Sequence, residues 1–411
     1  MINEKVLSSR ASTREISRPV VAGLRDDKLK MIQIGIDAHN LELNRAGVAR
    51  YLENLLREWA KDPKMRGNFH FTLYFKGRVP DDDFLEDSIF TCRSLQILPR
   101  PSFFLYFLFS LPLRAMRDKI DIMFFPSYMA SPLWRGKSVI VLHDISFERF
   151  PELFPIRYRL PYRILGRFGA NHSQAVITVS EFCKREIKEI YKVPAEKIFV
   201  TYLGVNERIK RASDEEIRRV KQKLDITGEY ILWVGQIFNR RHVLESLRAF
   251  EIIADKFPCA QFVVSGRNGT SPHQPIDEIC GDINRKLDRE AVIRVQYAEE
   301  KDLPALLSGA RVGVYISNYE GFGLPPLEFL ACGTPVLAPN TTSLKEALRG
   351  EQIIVEDASS VKEIAEKLTF AFTNQEVIDR ARLNGPKHAA QFSWKRCAGQ
   401  TISVFNGVQK N

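Results

Sequence analysis

The chain has 411 residues, 45% of them hydrophobic, which is enough for two globular domains with separate cores. Its six cysteines form no C-x-x-C pair and have no close His/Cys spacing, arguing against a disulfide framework or zinc site and for a reducing cytoplasm. The formal charge of +10 points to nucleic acid, an anionic membrane face or phosphate-bearing small molecules; no recognisable nucleic-acid module is present, and nucleic acid is not expected as a partner.

Residues 1–30 are polar, carry Arg10, Arg14, Arg18 and Arg25, and lack the apolar centre of a signal peptide, so they read as a disordered extension. Met31 directly precedes the strand-like IQIGIDA and is a candidate start of translation. No apolar run approaches the ~20 residues that would span a bilayer.

From there, short apolar runs alternate with helical patterns, the signature of layered parallel α/β structure. Strands are expected at Met31–Ile36, Phe69–Phe75, Ser94–Ile97, Ile122–Phe125, Ser138–Leu142, Ala175–Val179 and Ile198–Thr201. Helical spacing appears in Tyr51–Trp59 and Glu181–Ile190. Within this half, Gly47 stands in a turn just ahead of a helix, where its amide could meet phosphate or sugar. PSFFLYFLFSLPLRAMR, Pro101–Arg117, is apolar, aromatic and then basic; it reads either as an interfacial segment or as a buried core helix, and the second is preferred. VIVLHDISF sets His143 and Asp144 at a strand end, and a lone histidine there is more often structural than catalytic. Arg159, Arg163 and Arg167 recur at i, i+4 and i+8, a stripe suited to an acceptor phosphate or anionic lipid, or simply a solvated face.

The charged segment Asn206 to Asp225 separates a second series, with strands expected at Tyr230–Val234, Gln261–Val264, Val292–Gln296, Val312–Ile316 and Pro335–Ala338. The fold class is therefore α/β, two Rossmann-like doubly wound parallel-sheet domains facing a cleft, with ligands at the carboxyl ends of the strands. GQIFNRRHVLESLRAF places Gly235 at a strand end and Arg240 and Arg241 in the following turn, projecting into the cleft opposite the loop that holds Glu320. Two guanidinium forks suit a diphosphate, each charge-assisted bond contributing roughly 1.5–3 kcal/mol; a solvated arginine pair is the plainer reading. SGRNG puts Gly266 at another strand end, and Tyr297 follows the next strand.

NYEGFGLPPLEFLACGT, Asn318–Thr334, is the most informative piece: two glutamates eight positions apart around a glycine-rich turn and a helix start. Gly321 and Gly323 are expected to adopt angles closed to other residues, Pro325 and Pro326 suit a first helical turn, and Gly333 ends the helix. A diphosphate can settle on such a helix N-terminus without a metal, and each glutamate can take paired sugar hydroxyls.

EGFGLPPLEFLACGTPVLA resembles the E-x7-E region of the retaining glycosyltransferases of family 4, whose fold is GT-B; the HD pair and a G-x5-R-K-like turn occur in the family's order. The resemblance implies that Glu320 lies beside the donor sugar and Glu328 holds the ribose. By the same resemblance His143 contacts the sugar, Arg240 and Arg241 bind donor phosphates, and Gly47, Gly235, Gly266, Tyr297, Gly321, Phe322, Gly323 and Leu324 line the donor site. Arg241 stands where the family has lysine, and His242 where it has asparagine.

The resemblance also implies residues 31–205 as acceptor-binding domain, 206–391 as nucleotide-sugar-binding domain, and 392–411 as a helix crossing back. It implies a cytoplasmic hexosyltransferase needing no cofactor or metal, with a nucleoside-diphosphate sugar as donor and a glycan or lipid-linked glycan as acceptor. The string is similar to bacterial mannosyltransferases of surface polysaccharide, so GDP-mannose is the first donor expected, then UDP-glucose and UDP-N-acetylglucosamine. Peripheral contact with the anionic inner membrane face is a further expectation. The rivals are a sugar-nucleotide epimerase or hydrolase, and a non-catalytic sugar- or nucleic-acid-binding protein.

Overall fold

The computed structural model describes residues 31–42, 47–96, 102–270 and 272–410; the expected extension at 1–30 lies outside them. Strands β1 (Ile32–Asp37), β2 (Phe69–Phe75), β3 (Phe90–Ser94), β4 (Ile122–Phe125), β5 (Lys137–Val141), β6 (Ala175–Thr178) and β7 (Ile198–Val200) form one parallel sheet in the order β3-β2-β1-β4-β5-β6-β7. Strands β8 (Tyr230–Val234), β9 (Gln261–Ser265), β10 (Val292–Val295), β11 (Val312–Val314), β12 (Val336–Pro339) and β13 (Ile353–Val355) form a second, in the order β10-β9-β8-β11-β12-β13. This is the two-domain doubly wound α/β architecture expected from the alternation. In both sheets the strand order reverses once, between β1 and β4 and between β8 and β11, and open sheets of this kind bind ligands outside the carboxyl ends at such points.

Two edge strands depart from the sequence reading. β3 runs over Phe90–Ser94 instead of Ser94–Ile97, with Ile97 outside the described residues, because Phe90 packs on Phe71 of β2 at 5.9 Å and sets the register. β13 went unrecognised, since three residues are too few to show a period.

Apolar side chains fill both faces of each sheet. The helix Trp394–Lys410 crosses back to the first sheet: Trp394, Phe405 and Val408 lie in its core, Phe405 meets Phe124 edge-on at 5.2 Å, and Trp59 Nε1 donates to Ala398 O at 3.2 Å. Gly204 lets the chain pass the start of that helix, because a Cβ there would lie 2.0 Å from Trp394 N.

The segment 103–117 is not the buried core helix preferred from sequence. It is helical with a π-turn at Tyr106–Ser110; Tyr106, Phe107, Leu111 and Ala115 are buried while Phe104, Leu105, Phe109, Leu113 and Met116 face outward. Its inner residues and the helix Ile156–His172 pack on the same face of the first sheet.

Candidate functional site

Glu320 sits in the loop after β11, 6% exposed. Arg241 Nε and Nη2 donate to its two oxygens at 2.7 and 3.0 Å, and Ser317 Oγ donates at 2.9 Å. Burial pushes its carboxyl up, but the Arg241 and Arg240 charges with the hydrogen bonds from Arg241 and Ser317 outweigh it, so the net shift is downward. The carboxylate is ionised at neutral pH. Burial likewise opposes the Arg241 charge, and Glu320 with its neighbours more than restores it.

Sequence reasoning set both arginines opposite the glutamate loop. They lie against it instead: Arg241 also donates to Gln236 O at 2.7 Å, and Arg240 Nε donates to Tyr319 O at 3.1 Å. Among the described residues the terminal amino groups of Arg240 make no hydrogen bond, while Arg241 clamps Glu320. The two carboxyl-end turns approach closely: Gly235 has φ +134°, and a Cβ on Gly266, φ +149°, would fall 1.7 Å from Gly235 O.

The two glycines of the loop act differently from each other. Gly323 has φ +102° and precedes the helix Leu324–Ala331, whose first turn holds Pro325 and Pro326. Gly321 does not take a positive φ, contrary to the sequence expectation; it is needed because a Cβ would meet His143 O at 2.6 Å and Asp144 Cβ at 3.1 Å. The cleft is closed to van der Waals contact there, and Cys183 Sγ spans His143 O and Gly321 O at 3.4 Å each. Ser343 Oγ lies 2.8 Å from Glu320 O and 3.1 Å from Phe322 O, holding the loop from below.

His143 Nε2 lies 3.0 Å from Pro126 O, and since a carbonyl only accepts, Nε2 carries the proton and Nδ1 the lone pair. Burial lowers the histidine's pKa, against smaller raising effects of the Pro126 bond and Asp144. It is a neutral imidazole, suited to accept from a sugar hydroxyl. Glu328 is half-buried in the helix Leu324–Ala331; burial raises its carboxyl pKa, with Arg50 lowering it and Glu300 raising it. Arg50 of the first domain reaches Glu300 of the second at 2.9 Å.

Other expected residues are placed less directly. Gly47, φ +51°, caps the helix Val48–Lys61, and residues 43–46 before it lie outside the described residues. The Phe322 ring turns into the core against Tyr202 and Phe392, leaving only its backbone for a donor, with Leu324 half-buried two residues on. Tyr297 is 59% exposed beyond β10. The stripe Arg159, Arg163, Arg167 is not a row of free cations: Arg159 donates to Pro151 O at 2.8 Å and Arg163 pairs with Glu148 at 2.9 Å. Ser317 and Ser343 were missed by sequence reasoning; the first stands three residues before Glu320, while nothing local marks the second.

Known proteins match in the same two halves. The profile described as Glycosyltransferase Family 4 matches residues 45–208, and that described as Glycosyl transferases group 1 matches 214–388. O-antigen chain mannosyltransferase B of Escherichia coli is 30% identical over 298 residues, covering 71% of this chain and 76% of that protein. A serotype-specific mannosyltransferase WbdA of the same species is 26% identical over 66% of this chain, which spans only 33% of it. Among solved structures, Anabaena HepE in complex with UDP and glucose superposes with a TM-score of 0.69 at 18% identity, over 92% of this chain and all of that one. With both halves accounted for in chain order and a two-sheet cleft to match, the chain belongs to glycosyltransferase family 4 and has its GT-B fold.

Proposed function

We propose that this glycosyltransferase moves mannose from GDP-mannose, with retention of configuration and without a metal, to a lipid-linked glycan at the inner face of the cytoplasmic membrane during surface-polysaccharide assembly. The observation that carries the reading is the buried Glu320–Arg241 pair beside Arg240 and the helix start at Gly323, in contact across the cleft with His143–Asp144. The similarity to O-antigen mannosyltransferase B favours mannose.

In this mechanism the bond from the anomeric carbon to the diphosphate breaks with its electron pair on phosphate oxygen. Arg240 and the N–H groups of Gly323 and Leu324 hold the growing negative charge. Glu320, kept ionised by Arg241, balances the positive charge growing on the sugar ring and fixes its hydroxyls. The acceptor hydroxyl attacks from the face of departure, and its proton leaves with the diphosphate. His143 Nδ1 orients the sugar.

A thermal-shift panel of GDP, UDP, ADP and their sugars, with chelator, tests the donor. Selective stabilisation by GDP and GDP-mannose is expected, because a ligand bound only by the folded state raises apparent stability. Response to UDP sugars alone would move the donor assignment, and abolition of the response by chelator would overturn metal independence. In the same assay Glu328→Ala should weaken donor binding about tenfold, and a separate transfer assay at saturating donor should find turnover little changed.

Membrane contact is argued from the outward apolar residues of 103–117 together with Ile156, Leu160 and Ile164 of the helix Ile156–His172, on one face of the first sheet. Exposed Arg117, Arg157 and Arg167 accompany them. Among the described residues no helix is long and apolar enough to cross a membrane, so contact would be peripheral. Cosedimentation with vesicles containing phosphatidylglycerol should fall about tenfold or more for Phe109→Ser with Leu113→Ser, each apolar side chain contributing roughly 1.5–3 kcal/mol when fully buried. Equal sedimentation of wild type and variant would remove this surface from the reading.

A further inference from the structure

Asp37 ends β1 and is 2% exposed. Its Oδ1 accepts from the Tyr106 hydroxyl at 2.8 Å and lies 2.7 Å from His39 Nδ1. Tyr106 is itself fully buried, with its hydroxyl also 2.9 Å from Tyr74 O, so the carboxylate is held on a rigid floor. Asp37 Oδ1, which accepts from Tyr106, is the acceptor in this pair and His39 Nδ1 the donor, which sets Nε2 on the side away from Asp37. Among the described residues Nε2 has no hydrogen-bond partner, and the His39 side chain is 17% exposed. By contrast, His388, a buried histidine, sets its Nε2 on Ala347 O at 2.7 Å.

The place of this ring matters as much as its bonds. It stands at the carboxyl end of β1, beside the reversal of strand order in the first sheet, the counterpart of the point in the second sheet that holds Arg240 and Glu320. Asn40 Nδ2 donates to Ser127 Oγ at 2.9 Å, tying the His39 turn to the loop after β4. In that loop Pro126 O takes His143, and the Tyr128 ring lies 5.6 Å from the His143 ring. His39 and His143 thus flank the same loop from β1 and β5, two strand spacings or about 10 Å apart in the sheet. On its other side the His39 ring meets Phe103 edge-on at 5.1 Å, where the segment with the apolar outer face begins.

We propose that His39 is an acceptor contact: its Nε2 hydrogen-bonds a hydroxyl of the acceptor's terminal hexose, and Asp37 is a positioning residue that acts through the ring. The assignment rests on the glycosyl-transfer reading above. It gives His39 no share in the proton of the attacking hydroxyl, since that hydroxyl meets the anomeric carbon nearer His143 and Glu320. A hexose joined to a lipid carrier would then have its sugar between the two histidines and its carrier leading past Phe103 toward the outward apolar residues.

The test uses the full chain, GDP-mannose as donor and octyl α-mannoside as soluble acceptor, with initial rates for wild type, His39→Phe, His39→Asn and Asp37→Asn. Expected are an acceptor KM raised about tenfold in His39→Phe, a partial return in His39→Asn, and a rise in Asp37→Asn, with GDP affinity within about twofold of wild type throughout. Histidine side-chain NMR supplies a second readout: the resonance missing from His39→Phe should move in wild type on adding the octyl mannoside. An unchanged acceptor KM in His39→Phe, a loss of GDP affinity equal to the loss for acceptor, or a stationary His39 resonance each overturns the assignment. A wild-type chain that neither binds GDP-mannose nor any other nucleotide sugar fails the parent reading, which is a separate result and takes the assignment with it.

Discussion

Glu320→Ala should lower the transfer rate by on the order of a hundredfold or more at saturating donor and acceptor. The expectation follows from where the carboxylate is kept. It is buried, held ionised against its own desolvation by Arg241 and Arg240, and fixed at both oxygens by one guanidinium. A charge prepared in this way needs no reorganisation when positive charge develops on a sugar beside it. Glu320→Gln keeps the shape and hydrogen-bonding oxygen but removes the charge, so it should be nearly as slow if charge is the point, and markedly faster if only positioning matters. Rates must be read well below the melting temperature of each variant, because alanine also leaves Arg241 without its partner. Near-normal turnover by Glu320→Ala in folded protein would take the residue out of the mechanism.

Arg241→Ala should cost about 3–5 kcal/mol of folding stability, the usual consequence of stranding one charge of a buried pair. Arg241 is 12% and Glu320 8% exposed in their side chains, and water cannot readily replace the lost guanidinium. Three of the arginine's contacts would vanish together: Glu320, Gln236 O and the face of Tyr315 at 5.1 Å. The double variant Arg241→Ala with Glu320→Ala should recover part of the loss, since no buried carboxylate then remains unpaired. Urea unfolding midpoints of the wild type, the two single variants and the double variant measure this, and strict additivity would show that the pair is not coupled. Arg241→Lys, which restores the residue implied by the family resemblance, keeps the charge but not the two-pronged bond, and should lie between wild type and alanine.

The alternation of elements was legible because strands buried on both faces of a parallel sheet read as uninterrupted apolar runs. β2, β4 and β8 begin and end where the runs Phe69–Phe75, Ile122–Phe125 and Tyr230–Val234 do. The helix start at Gly323 was legible for a related reason: a glycine with positive φ and prolines in the first turn are local requirements, written in adjacent residues. The edges were not, since β3 takes its register from Phe71 across the sheet and β13 has only three residues.

Residue types and their order along the chain were therefore enough to establish two doubly wound domains, a glycine-rich loop with two glutamates, and membership of a glycosyltransferase family. Which groups touch was decided only by the tertiary structure. Arg241 and Glu320 are 79 residues apart, Tyr106 and Asp37 are 69 apart, and Glu346 caps the helix Glu181–Tyr191 from the other domain across 165 residues. Local sequence encodes backbone preference and the apolar period, whereas the energy of a buried charge depends on the partners that folding brings to it. For that reason the pairing of Arg241 with Glu320, the contact of Gly321 with His143 and the seat of His39 on Asp37 could be read only from the folded chain.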